Sequence, residues 1–424
     1  LADNGVIKVD GSITANSSGN TDGTANRGGN IIIGRDEETN AVAKVTDVSG
    51  AKLESQSGFI ETSGEYLATN AVSVKAKDWL LDPSNITIST GTDTGYTNIS
   101  GTYTPDSTAA TSVVKVGTIQ DAINAGTSIT ITTTNTGTSG SGAGNITIAN
   151  ALSFNNTGTQ DATLSLIADN GIIQNATISA TGSKLVNISM DAKGNYQGIA
   201  APSANSDGIN INSGITTNGN ILLKGATSKD NNEGVYIGGV TLTAKNIEIS
   251  GTSTGAYAVS TAENTKGIRS FGTLNATNEI KLMGNSTNVT GVGIEGGSVT
   301  ATNGAVVIEG VTTNGYYQGA NIGFAVTGAS VRITGNSKNH FGVGIGAAVT
   351  ATSGDVYIEG TTSAGTRAGI SMGAKVEGKN VSMLGNSAGG VGVDVIALVK
   401  ATDTGVTASG VTLTGSGGNT YGNY

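Results

Sequence analysis

Glu248, Glu309, Glu359 and His340 are the side chains that could do chemistry if this chain carried an active site. Paired acid/base catalysis, or a bound divalent cation, needs carboxylates gathered on one face. Glu309 and Glu359 each stand one residue before a recurring glycine, Gly310 and Gly360, whereas Glu248 stands three before Gly251. The first two therefore fall two repeats apart, roughly 10 Å in a stacked sheet, and Glu248 lies in another column. That spacing fits a solvated outer face. His340 is the single histidine. It has no acidic neighbour in sequence to orient it, and a serine nucleophile would have no other base. Zinc and calcium signatures are absent from the sequence, and no helix follows the glycine pairs to cradle a phosphate. The expectation is no enzyme, no metal and no cofactor.

Recognition chemistry is better supplied. Tyr257, Tyr316, Tyr317, His340, Phe341 and Arg367 fall in variable segments of the C-terminal half, in a chain only 4% aromatic. Tyrosine and arginine are the residues that carbohydrate and protein recognition favour. The variable segments are 226–233, 252–266, 285–290, 311–318, 336–341, 361–367 and 386–389. If the constant parts between them stack, these segments share one edge, and binding is expected there.

The constant parts have a clear period. A glycine closes each return: Gly225, Gly251, Gly284, Gly310, Gly335, Gly360, Gly385 and Gly415. Four residues before it stands Ile or Val every time, from Ile221 to Val411; two before stands Leu, Ile or Met. The residue between varies freely, so one face is buried at period two, which is a strand. A second strand reads Gly208-Ile-Asn-Ile211, Gly234-Val-Tyr-Ile237, Gly291-Val-Gly-Ile294, Gly342-Val-Gly-Ile345 and, last, Gly390-Val-Gly-Val393. A third short segment lies between them, as in Ser298–Thr302 and Ala348–Thr352. A return of about 25 residues with three short strands fits one coil of a β-solenoid. The predicted fold is all-β: a single right-handed parallel β-helix of about 15 coils, on the order of 70 Å long.

Composition agrees. Glycine contributes 66 of 424 residues, charged residues only 12%, and Val, Ile and Thr outnumber helix formers. A net charge of −9 argues against a nucleic-acid footprint. There is no cysteine, and no run of about 20 apolar residues that could span a bilayer. The chain starts at Leu1 with no signal peptide after it and is read as an internal fragment of a longer protein. Asn-Xaa-Ser/Thr sites occur about as often as chance predicts.

The N-terminal half reads as short strands (5–9, 12–14, 29–34), with an acidic loop tip at Arg35–Glu38. Gly91–Lys115 reads as a polar insertion thrown out of the coils. Thr118–Ala125 reads as one or two helical turns, with Thr118 as N-cap and Gly126 as the stop. Gly137–Gly144 is a glycine/serine loop, and Asn195–Asp207 a joint, so that residues 1–200 and 201–424 are two parts of one solenoid. Trp79, the only tryptophan, sits in an apolar knot with Leu80 and Leu81 and is expected to plug the local core.

Three passages carry a resemblance: Ile60-Glu-Thr-Ser-Gly64, Ala71–Ala76, and Trp79-Leu-Leu-Asp-Pro83 running on to Ile86 and Ile88. They resemble the shaft of the large exoproteins of Gram-negative two-partner secretion, the filamentous-haemagglutinin-like adhesins, with Ile60 where that family has valine. Thr118–Thr133 resembles the element that follows in the same shaft, and the likeness covers roughly residues 55–195. The resemblance implies a secreted or surface-displayed virulence adhesin that reaches the outside through an outer-membrane transporter. The N-terminal secretion domain that engages the transporter is not in this sequence. The expected role is attachment to host cells or biofilm matrix as a monomer, through a glycan or protein receptor on the loop edge, with no nucleic acid and no membrane insertion. Two alternatives stay open: a passive spacer in a contact-dependent growth-inhibition exoprotein, and a polysaccharide-degrading solenoid enzyme.

Overall fold

A computed structural model describes residues 5–16, 28–91, 96–99, 102–105, 111–133, 144–194, 207–255, 265–314, 317–402 and 410–417. The fold is an all-β parallel β-helix. It divides into two compact units, residues 1–193 with 216–219, and residues 194–215 with 220–424.

In the second unit each coil contributes one strand to each of three parallel sheets. The long-strand sheet stacks Ile221–Thr227, Ile247–Ser253, Ile280–Ser286, Ala305–Thr312, Ser330–Ser337, Val356–Thr362, Val381–Ser387 and Val411–Gly417. A sheet of three-residue strands runs from Ile209–Ile211 to Val393–Val395, and another from Thr241–Ala244 to Val399–Ala401. Register is constant: Ile280 faces Val306, which faces Val331, which faces Val356. The inward Ile, Leu, Val and Met columns, such as Ile249, Leu282, Ile308 and Ile333, are fully buried. Each such side chain contributes about 1.5–3 kcal/mol.

The recurring glycines explain the register. A methyl on Gly310 would run into the carbonyl oxygen of Gly319, and Gly225, Gly251, Gly284, Gly335, Gly360 and Gly385 meet Gly234, Gly267, Gly291, Gly342, Gly369 and Gly392 in the same way. A methyl on Gly319 would in turn strike the backbone of Asn336 in the next coil. Backbone passes backbone here, and any side chain would force the two sheets apart.

Three expectations about the repeat and the helix need correction. The closing glycine does not end its strand. The strand runs two residues on, and those residues (Thr227, Ser253, Ser286, Thr312, Ser337, Thr362 and Ser387) point inward and are buried. The connecting segments therefore begin later than the glycines suggest. The last copy of the second strand is Gly392-Val-Asp-Val395, because Ile370 pairs with Val393. A shift of two residues preserves the inward/outward alternation, so only the contact of Gly385 with Gly392 fixes the choice. The helix is Val116–Asn124 with Lys115 at its N-cap. Thr118 lies inside it and donates its hydroxyl to Thr69 O at 3.4 Å. Gly126, with φ +89°, does stop the helix.

In the first unit the long-strand sheet includes Lys52–Ser63, Ser73–Asp82, Ser128–Thr133, Ala162–Ala168 and Val186–Ala192. Its first strand is irregular between Ser55 and Phe59, and pairs Ser12–Thr14 with one half and Asn30–Ile33 with the other. The insertion 91–115 is only in part extruded. Tyr96–Ile99 and Thr102–Pro105 pair as an antiparallel hairpin, but Ser112–Lys115 rejoins a sheet beside Ile86–Ser89. Trp79 is fully buried and donates its indole N–H to the Thr62 hydroxyl at 3.1 Å, so it is a core plug. Residues 137–143 and 195–206, in the expected loop and joint, lie outside the described residues.

Gly310→Ala is expected to destabilise the full chain by about 2–4 kcal/mol in urea unfolding followed by circular dichroism. Gly239→Ala, where an added methyl meets open space, should shift it by no more than about 0.5 kcal/mol. Equal shifts would rule out the glycine contact as the constraint on register.

Candidate functional site

The buried hydroxyls past each closing glycine do one recurrent job. Ser253 Oγ donates to Asn232 O at 2.8 Å, Ser286 to Thr265 O at 2.6 Å, and Ser337 to Tyr317 O at 2.7 Å. Thr362 donates to His340 O at 2.6 Å and Ser387 to Arg367 O at 2.7 Å. Each acceptor lies two residues before the glycine that opens a short strand, and each donor lies one coil further along the stack. Some of the same oxygens also accept from the following loop: His340 N–H reaches Ser337 Oγ at 3.0 Å, and Gly390 N–H reaches Ser387 Oγ at 2.8 Å. The connections thus leave the coils through necks closed by glycine contact and fastened by hydroxyls.

Tyr317, His340 and Arg367 occupy one column of these tied positions in successive coils, spaced at about 4.8 Å per coil. Phe341 stands beside them. Its ring meets the His340 ring edge-on at 4.5 Å between centroids, and the Arg367 guanidinium lies 5.7 Å from its centroid. Phe341, His340 and Tyr317 are half-buried, and Arg367 is exposed. No carboxylate among the described residues pairs with Arg367. His340 Nδ1 is buried without a hydrogen-bond partner. Burial, then the Arg367 charge, pushes the imidazole below its ordinary pKa, so it is neutral at neutral pH. Three of the six expected residues, His340, Phe341 and Arg367, are therefore brought together, and Tyr317 shares their column through its backbone carbonyl; Tyr257 and Tyr316 lie outside the described residues. The arrangement offers a cation and an aromatic ring on one edge.

The repeat carboxylates are dispersed. Glu309 and Glu359 sit on the outward face of the long-strand sheet with Thr334 between them. Glu359 accepts the Tyr357 hydroxyl at 2.9 Å, and Tyr357 lies under Arg332 at 4.6 Å. Glu248 is exposed.

Sequence reasoning missed an ionic cluster in the first coils of the second unit. Asp207, Glu233 and Lys266 each precede a short-strand glycine, in the column that holds Gln318 and Phe341 further on. Their exposures are only 6%, 4% and 4%. Arg269 bridges Glu233 at 3.2 Å and Glu295 at 2.9 Å, and Lys266 reaches Glu295 at 2.5 Å. Burial, then the neighbouring Asp207 charge, pushes the Glu233 carboxyl up to about 9. Burial raises Asp207 as well.

In the first unit a cleft of about 290 Å³ is lined by Arg35, Asn40, Glu61, Glu65, Asp82 and Pro83, among others. Arg35 grips Glu61 through two nitrogens, one at 2.7 Å, and Ser63 Oγ donates to Glu61 at 2.7 Å. Burial alone would raise the Glu61 carboxyl, but the Arg35 and Ser63 hydrogen bonds outweigh it and hold it below its ordinary value. The pair's contribution is thus present above the unfolded value, about 4.3, and is lost as pH falls through the lower folded value.

Glu61→Gln is expected to cost about 1–3 kcal/mol at neutral pH and to flatten the acid limb of thermal stability. An unchanged acid limb would remove Glu61 as its source. Ser337→Ala removes the hydroxyl that binds both Tyr317 O and His340 N–H and should cost about 1–2 kcal/mol in urea unfolding; no loss would mean the hydroxyl tie is redundant. No protein-family model and no curated protein matches this chain.

Proposed function

We propose that this chain is a non-enzymatic segment of a secreted or surface-displayed bacterial adhesin, attaching to host cells or biofilm matrix through the loop edge of its second unit. One observation carries the reading. The backbone carbonyls of Tyr317, His340 and Arg367 are held in a single column by hydroxyls buried in the neighbouring coils, and the Phe341 ring lies against His340 and Arg367. A preordered aromatic and arginine surface loses little entropy on binding. The aromatic ring suits the apolar face of a sugar or a protein side chain, and the unpaired guanidinium suits a polar or anionic group beside it. The resemblance of Ile60–Pro83 to adhesin shafts supports the same reading and supplies the expected route to the cell exterior.

The test is binding of the full chain to a glycan array and to epithelial cells, alongside a variant with Tyr317, Phe341 and Arg367 changed to alanine. Saturable binding by the full chain is expected, at least about tenfold weaker in the variant. Equal binding would move the site off this edge. No binding by either folded protein would favour a passive spacer, and release of reducing ends from a polysaccharide would overturn the non-enzymatic reading.

A further inference from the structure

The outward column of the three-residue strands reads Tyr236, Arg269, Gly293, Asn321, Gly344, Ser371 and Asp394 in successive coils. Its two glycines are not demanded by the backbone. A methyl on either would stand 3.0 Å or more from its neighbours, and those neighbours are all side chains. Each glycine lies instead beneath a side chain from the coil before. Lys266 Cδ would be 3.3 Å from a methyl on Gly293, and Gln318 Cγ 3.4 Å from one on Gly344. Lys266 and Gln318 both stand immediately before a glycine that opens a three-residue strand, Gly267 and Gly319. The same device therefore lays a side chain across the next coil twice. The first delivers an ammonium to Glu295. The second delivers an amide beside Asn321: Gln318 Nε2 and Asn321 Oδ1 would lie 3.6 and 3.7 Å from the same methyl on Gly344.

The two cases end differently. Lys266 is spent in its ion pair, whereas among the described residues neither the Gln318 nor the Asn321 amide has a hydrogen-bond partner. Both side chains are half-buried. Ser371, which faces Gly344 from the far side, has a free hydroxyl as well. Phe341 follows Gln318 in its column one coil on, a step of about 4.8 Å. None of these residues is charged. Arg367 flanks them on the loop edge and Asp394 stands one coil beyond Ser371, so the charges beside the patch are of opposite sign. Amides offer a donor and an acceptor together, which matches a hydroxyl that both accepts and donates. An anion would find Asn321 Oδ1 and Asp394 against it.

Given that the loop edge is the binding surface, we propose that Gln318 and Asn321 are its hydroxyl-reading residues, and that its ligand is a neutral sugar. Neighbouring hydroxyls of one ring take the Gln318 and Asn321 amides, with Ser371 within the same patch. The apolar face of the sugar lies toward Phe341. Gly344 serves the site by letting Gln318 lie flat.

The test is binding of the full chain to immobilised galactose-, glucose- and mannose-terminated glycans, printed beside sulfated and carboxylated ones. Neutral glycans are expected to bind, with little change as salt is raised. Gln318→Met with Asn321→Leu keeps the packing over Gly344 and removes both amides. This variant should bind at least about tenfold more weakly, while its urea midpoint stays close to that of the full chain. Should it not fold, the glycan preference of the unaltered chain decides. Preference for sulfated or carboxylated glycans, lost as salt is raised, would overturn the proposal. Undiminished binding by the amide variant would overturn it too, and the edge reading would survive if the Tyr317, Phe341 and Arg367 variant still fails to bind. Edge-dependent binding to epithelial cells with no glycan bound would mean a protein receptor and would sink the sugar assignment alone. No binding to glycans or cells would remove both readings.

Discussion

Two columns of glycine, touching backbone to backbone where the long strand passes the start of the next short strand, are the constraint on which the second unit depends. Gly310 against Gly319 and Gly335 against Gly342 are instances of one contact repeated coil after coil. It sets how closely two sheets approach, and therefore how much space the inward Val and Ile columns must fill. It also pinches each connecting segment at its neck, so that length and composition can vary outside without disturbing the register inside. The buried hydroxyls then fasten the necks from one coil to the next. Core, register and candidate binding column are consequences of the same close approach.

Much of this was legible in the sequence because parallel stacking repeats the same physical demand. Ile247, Ile280 and Val306 must each bury a branched side chain at the same point, and they announce a strand by period two. The four-residue motif opening with Gly208 or Gly342 is legible for the same reason. Its last copy is not, since Gly390 and Gly392 both begin an alternating apolar run and only a contact remote in sequence separates them. The hydroxyl column was written plainly, as Gly-Xaa-Ser/Thr at Gly284, Gly335 and Gly385. It was obscured by a background in which serine and threonine stand almost everywhere.

The edge residues were located by composition, as aromatics in a chain poor in them, but their relation was not. Counted forward from the closing glycines, Tyr317, His340 and Arg367 do not align, because the connections differ in length; only counting back two residues from Gly319, Gly342 and Gly369 puts them in one column. Phe341 was read as part of a loop, yet it holds the position that Glu233 and Lys266 hold in earlier coils. The acid cluster was harder still. Its members come from several columns, and the Lys266 side chain lies close over a glycine, Gly293, where a methyl would crowd it. A single sequence shows the glycine but not the lysine that covers it.

The hydrogen bonds between coils have a mechanical consequence. Ala320 N–H reaches Gly342 O, and Ile370 N–H reaches Gly392 O, so in the second unit the ladders point along the direction of stacking. Tension along that direction opens the ladder between one coil and the next rather than shearing a whole sheet at once. A released coil of about 25 residues can extend to roughly 80 Å, against a rise of about 4.8 Å when folded. Coil-by-coil yielding of this kind would make the unit an extensible spring, paying out length under load while the remaining coils keep their core.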